Sequence, residues 1–189
     1  ELETIVIDEP TDPSEFQPYA RKENLSRDWV YPGMAGFEHR IGGLEKEDVT
    51  GNVCYVPENH QKMTTIRANK VQKLAETLTP LEVEGSKQSK TLVVGWGSTY
   101  GTIKKSVQSL KSEGIEVAQL HLRYLNPFNK ELGQLFPKYE NILVIENNSG
   151  QVVIKLRNEF PGMVFKSITQ VTGQPFSVET LNTLIKSNS

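Results

Sequence analysis

The stretch Gly95-Trp96-Gly97-Ser98-Thr99-Tyr100-Gly101 holds the residue types and spacing that come nearest to chemistry. Small residues stand where the backbone must turn sharply out of the apolar run Thr91-Leu92-Val93-Val94, and Ile103, Val107 and Leu110 then recur at helical spacing. Backbone N–H groups at a helix start reached through such a turn favour an anion, so a phosphate cradle is the first expectation. The spacing G-x-G-x-x-x-G is one residue longer than the dinucleotide fingerprint. Where that fingerprint needs an acid for a ribose, the end of the next predicted strand presents His121-Leu122-Arg123. Arginine there could hold a phosphate on a ribose. Gly97, Ser98 and Arg123 are therefore the candidate cofactor-binding residues.

The other polar groups point less far. Arg123, Glu146 and Asn147 close predicted strands and could line a small-molecule pocket, but the same residue types serve equally as helix caps and turn formers. His39, His60 and His121 are scattered without metal-ligand or triad spacing, and Cys54 between Val53 and Tyr55 reads as a small packed apolar residue. No catalytic residue is assigned. The run Glu45-Lys46-Glu47-Asp48, flanked by Gly42-Gly43 and Gly51, reads as a solvated turn or a mobile loop offering charge to a partner. Trp29, Tyr31 and Phe37 lie in the same low-periodicity region, where aromatic residues favour a docked interface. Together these seven residues form the candidate interface.

The elements that must position these groups follow from periodicity. From residue 90 onward apolar strand-like runs alternate with helical patterns in the order β-α-β-α-β-α-β-α, with strands at 91–95, 117–122, 142–146 and 164–169. Helices are expected over 102–112, 130–136, 151–160 and 178–186, with Gly114 as a helix stop and Ser177 and Ser149 as N-caps. Strands linked by helices of this length run parallel through right-handed crossovers, giving a doubly wound, mostly parallel α/β sheet. Residues 1–80 differ. They contain Pro10, Pro13, Pro18, Pro32 and Pro57, one strand at 2–7 and a helical stripe over 60–78 ended by Thr79-Pro80, and read as a Pro/Gly-rich arm and a helix. Residues 81–89 read as a polar linker to the α/β domain at 90–189.

Composition excludes several classes of partner. The 21 basic and 23 acidic residues are interspersed, which argues against a nucleic-acid surface. No apolar run approaches a membrane span, and a single cysteine excludes an internal disulfide and fits a reducing, cytoplasmic compartment. The chain begins at Glu1 rather than Met, so a fragment of something longer is expected. Exposed apolar positions in residues 1–60 could also pair two copies as a homodimer.

Pro32-Gly-Met-Ala-Gly36, the run His39-Arg-Ile-Gly-Gly-Leu-Glu-Lys-Glu-Asp48, Thr50-Gly-Asn-Val53 and Pro57-Glu-Asn-His60 together resemble the alpha subunit of 2-oxoacid:ferredoxin oxidoreductases, the 2-oxoglutarate type above all. Val93-Val-Gly-Trp-Gly-Ser-Thr-Tyr-Gly101, His121-Leu-Arg-Tyr-Leu-Asn-Pro-Phe128, Glu146-Asn147 with Gly150-Gln151, and Gly173-Gln-Pro-Phe176 continue the resemblance in order. The resemblance implies part of a thiamine-diphosphate enzyme that oxidatively decarboxylates a 2-oxoacid onto coenzyme A and passes electrons through iron–sulfur centres to ferredoxin. It implies that residues 1–80 are the tail of a pyrimidine-binding domain and 90–189 a domain like the transketolase C-terminal one, whose sheet usually carries an antiparallel edge strand that periodicity does not place here. Thiamine diphosphate, its Mg ion and the iron–sulfur centres would be bound elsewhere in the complete enzyme, leaving this part a structural and assembly module, inactive alone. Its expected partners are the beta subunit and the upstream alpha-subunit domains, with ferredoxin reached through the full complex. The alternative is a phosphate or nucleotide module for the phosphate-bearing end of coenzyme A, built from Gly97, Ser98 and Arg123.

Overall fold

A computed structural model describes Ile7 and residues 9–189. The strand expected at 2–7 lies outside the described residues apart from Ile7. The chain divides into two compact units, Glu1–Leu74 and Ala75–Ser189.

The second unit is a five-stranded sheet in the order β1-β3-β2-β4-β5. Its strands are β1 (Val83–Gly85), β2 (Thr91–Trp96), β3 (Ala118–Leu122), β4 (Asn141–Glu146) and β5 (Phe165–Thr169). The four longer strands run parallel, as their helical connections require. β1 pairs antiparallel with β3, setting Glu84 opposite Gln119. It lies in the segment 81–89 read as a linker, and this corrects that reading: Val83-Glu84-Gly85 is too short and too polar to show a strand period, and only the exposed edge of β3 gives it a partner. It supplies the antiparallel edge strand that the resemblance implies.

Along β2 and β4 the apolar run is continuous, yet its side chains part to two cores. Leu92, Val94, Ile142 and Val144 pack with Phe136, Val152 and Leu156, while Val93, Leu143 and Ile145 pack with Val107, Leu110, Leu181 and Ile185. A two-residue period on a sheet covered on both faces produces this division. Helices α2 (Tyr100–Ser112) and α5 (Val178–Asn188) therefore cover one face, and α3 (Leu132–Leu135) with α4 (Gln151–Glu159) cover the other. The expected stop after α2 and the expected cap before α5 are present. Gly114, at φ 80°, donates to Lys111 O at 3.0 Å, and Ser177 Oγ accepts from Thr180 N at 3.0 Å. The expected helix at 130–136 shortens to one α turn, continued by a 3₁₀ turn over Phe136–Lys138 in which Pro137 stands.

In the first unit, helix α1 (Pro57–Lys73) starts with proline at its first position and stops before the 60–78 stripe is complete. Of that stripe only Met63 is fully buried. The other described residues of the unit are irregular chain, tied by isolated bridges between Tyr19 and Val49 and between Lys46 and Val53.

Candidate functional site

From β2 the chain passes to β3 on one side and places β4 on the other, so the topological crevice lies between the carboxyl ends of β2 and β4. Trp96 and Glu146 occupy it. Glu146 is fully buried and accepts from the backbone N–H groups of Val152 and Val153, each at 2.9 Å, and from the indole Nε1 of Trp96 at 3.3 Å. Those two amides are first-turn donors of α4 that have no partner within the helix, and the positive end of the helix favours a carboxylate there. Asn148 Oδ1 accepts from Gly150 N at 2.7 Å and Gln151 N at 3.1 Å. Ser149, expected as this cap, is instead exposed. Gly150 at φ 90° turns the chain so that residues of the strand end and the loop reach back over the helix start. Glu146 is thus a helix cap in a crevice filled by the protein's own groups. Asn147 Oδ1 beside it is buried without a hydrogen-bond partner.

The glycine turn is closed by Thr99. Its hydroxyl accepts from Trp96 N at 3.0 Å and donates to Trp96 O at 2.8 Å. The two glycines in it do different work. A Cβ on Gly95 would stand 2.3 Å from Ile103 Cδ1 and 2.7 Å from Thr99 Oγ1, so β2 meets α2 only without a side chain there. Gly97 has open space around it and is required for its φ of 55°. Sequence reasoning gave weight to Gly97 and missed the crowding at Gly95, which no local pattern announces.

A cavity of about 480 Å³ opens instead toward the other side, beyond the ends of β2 and β3 and beside β1. Gly97 and Arg123 both line it, while Ser98 does not. Its polar wall is completed by His121, Tyr100, Glu84 and Glu82, the last two belonging to the segment read as a linker. Glu84 is engaged. Lys104 Nζ approaches it at 3.0 Å and Tyr100 Oη donates to it at 2.8 Å, and these bonds hold its carboxyl below the ordinary range. His121 stacks edge-on against Tyr100 at 5.0 Å. Burial, and after it the nearby Arg123, pushes the imidazole below its usual value near 6.5 and so favours its neutral form. Its Nδ1 is buried with no partner. Arg123 and Glu82 are both exposed and make no hydrogen bond or ion pair among the described residues.

The seven candidate interface residues of the first unit divide. Trp29 and Tyr31 are exposed, at 59% and 47%. Phe37 is buried, edge-on to Phe16 at 5.2 Å. The charge run is stitched to α1 rather than offered to solvent. Glu45 binds Arg67 through two bonds of 2.9 and 3.1 Å and His60 at 2.6 Å, and Asp48 pairs with Lys62 at 2.6 Å. Lys46 is buried and its ammonium donates to the carbonyls of Gly42 and Leu44. Glu47 remains exposed, and Thr50 Oγ1 donates to its carboxylate. Basic residues spaced along α1 face the run, in pairings across 14 to 22 residues that local charge pattern does not reveal.

Among the described residues no group of three or more His, Cys, Asp or Glu side chains could hold a metal ion, and a single cysteine cannot supply the thiolates of an iron–sulfur cluster. Nor is any helix among them long and apolar enough to cross a membrane.

Comparison with known proteins agrees with the topology. Residues 89–181 match pyruvate:ferredoxin oxidoreductase core domain II. Over 173 residues the chain is 38% identical to the 2-oxoglutarate oxidoreductase subunit KorA of Mycobacterium tuberculosis, covering 90% of this chain and 26% of that one. It is 29% identical over 117 residues to the 2-oxoglutarate synthase subunit KorA of Methanocaldococcus jannaschii, covering 62% of this chain and 31% of that one. The chain therefore spans less than a third of the length of these curated relatives. The solved 2-oxoglutarate:ferredoxin oxidoreductase from Magnetococcus marinus shares the fold, with a TM-score of 0.81 at 24% identity over 96% of this chain and 32% of that one. With sequence, topology and structure in agreement, the chain belongs to the 2-oxoacid:ferredoxin oxidoreductases, as part of an alpha-subunit region.

Proposed function

We propose that this chain is a structural and assembly part of the alpha subunit of a cytoplasmic, thiamine-diphosphate-dependent oxidoreductase that converts a 2-oxoacid, of the 2-oxoglutarate kind, to its acyl-coenzyme A and delivers the electrons to ferredoxin. The 38% identity to the mycobacterial 2-oxoglutarate oxidoreductase subunit, sustained over 173 residues and both units, carries this reading. Thiamine diphosphate, Mg and the iron–sulfur centres are assigned to other domains and subunits, and no chemical step is assigned to a residue here.

The docking surface assigned to this role is the exposed aromatic pair Trp29 and Tyr31, presented by a unit whose charge run is already satisfied internally. Large rigid aromatic side chains are the usual anchors of a protein interface. Its occupant is the rest of the oxidoreductase, upstream alpha domains and beta subunit. The test is co-purification of the beta subunit with the complete alpha subunit carrying Trp29→Asp or Tyr31→Asp. Capture reduced at least about tenfold, with unchanged thermal unfolding of the alpha subunit, is the expected result. Undiminished capture by both variants would exclude the pair as the docking surface.

A further inference from the structure

The cavity beside β1 lies outside the topological crevice, and its charges are not those of a phosphate cradle. Glu84 is paired with Lys104 and hydrogen-bonded by Tyr100, which leaves Arg123 and Glu82 as the unpaired opposite charges that line the cavity. Neither has a partner among the described residues, and although both side chains are long, they do not pair with each other. A phosphate monoester would bring a charge of about −2 to a cavity whose one unpaired guanidinium is matched by an unpaired carboxylate. A zwitterion satisfies both groups at once. Leu81 and Tyr124 add apolar and aromatic surface to the lining, and a volume of about 480 Å³ lies within the range of small-molecule sites.

We propose that this cavity binds a free amino acid with an apolar side chain, its carboxylate on the Arg123 guanidinium, its ammonium on Glu82 and its side chain against Leu81 and Tyr124. The planar fork of arginine suits a carboxylate through paired hydrogen bonds. His121, edge-on to Tyr100, forms part of the same lining. The inference stands apart from the assembly reading and does not rest on it.

Calorimetry and NMR of the full chain with four probes test it: L-leucine, isovalerate as the carboxylate alone, isopentylamine as the ammonium alone, and AMP as a phosphate monoester. L-leucine is expected to bind at least about tenfold more tightly than the other three. Arg123→Gln and Glu82→Gln should each weaken leucine at least about tenfold, and Glu82→Gln should leave isovalerate unchanged or improved. Both positions are exposed, so a thermal melt will show the variants folded. Absence of leucine binding at about 10 mM would overturn the proposal, as would leucine binding indifferent to Glu82→Gln. Tighter AMP binding that is lost in Arg123→Gln would replace it with the phosphate site expected from the glycine turn.

Discussion

Removing the Glu146 carboxylate should loosen the second unit through α4 and the glycine turn together. In Glu146→Ala, the amides of Val152 and Val153 lose acceptors at 2.9 Å in a fully buried position, and the Trp96 indole loses one at 3.3 Å. Each buried donor left without a partner costs about 1–3 kcal/mol, and a loss of about 3–5 kcal/mol is expected in all. Glu146→Gln keeps one acceptor oxygen but turns an amide NH₂ toward the other donors and removes the charge at the helix start, so about 1.5–3 kcal/mol is expected. The chain has only two tryptophans, and Trp29 is exposed, so a Trp29→Phe background leaves Trp96 as the fluorescent reporter at the site itself. Urea titration of both variants in that background gives the difference from midpoints, provided the slope is unchanged. Losses within about 0.5 kcal/mol of the parent for both variants would refute the reasoning. So would Gln proving as damaging as Ala.

Three further outcomes follow from the same geometry. Gly95→Ala, which places a methyl 2.3 Å from Ile103 Cδ1, should destabilise by about 1–3 kcal/mol, more than the roughly 1 kcal/mol expected for Gly97→Ala from its left-handed backbone; the reverse order in urea titrations would deny the close packing of β2 on α2. Hydrogen bonds from Arg67, and then from His60, lower the Glu45 carboxyl from 4.5 to about 2, so its contribution to the first unit is complete above pH 4.5 and lost as the pH falls toward 2. Hydrogen exchange of α1 should quicken across that window in the parent and not in Glu45→Gln; equal acid sensitivity in both would place the effect elsewhere. Arg123→Gln should raise the pH at which His121 takes up a proton, because the guanidinium is one of the two causes that hold it low; an unchanged His121 titration by NMR would separate the two groups.

Much of the second unit was legible because its signals are local. Apolar runs of strand length, helical spacing after each, Gly114 past a helix and Ser177 before one predicted the parallel strands and their order along the chain. The long ordered motifs carried the family resemblance. Residues that depend on a distant partner could not be read in this way. The strand Val83–Gly85 exists because β3 has a free edge, and Glu146 becomes a cap because Gly150 folds α4 back over it. Glu45 and Asp48 are bound because α1 sets Arg67 and Lys62 against them, and Gly95 is crowded because Ile103 lies across it.

The glycine turn shows where the division falls. The sequence alone determined that a buried strand breaks there into a helix, since burial period and glycine conformational freedom are properties of the residues themselves. What the turn faces was decided by tertiary structure. Strand order put Glu146 and Trp96 in the expected crevice, and the pairing of β1 with β3 brought Glu82 and Arg123 to the lining of one separate cavity. Strand order and edge pairing are sums over contacts far apart in the chain. No window along the sequence contains them.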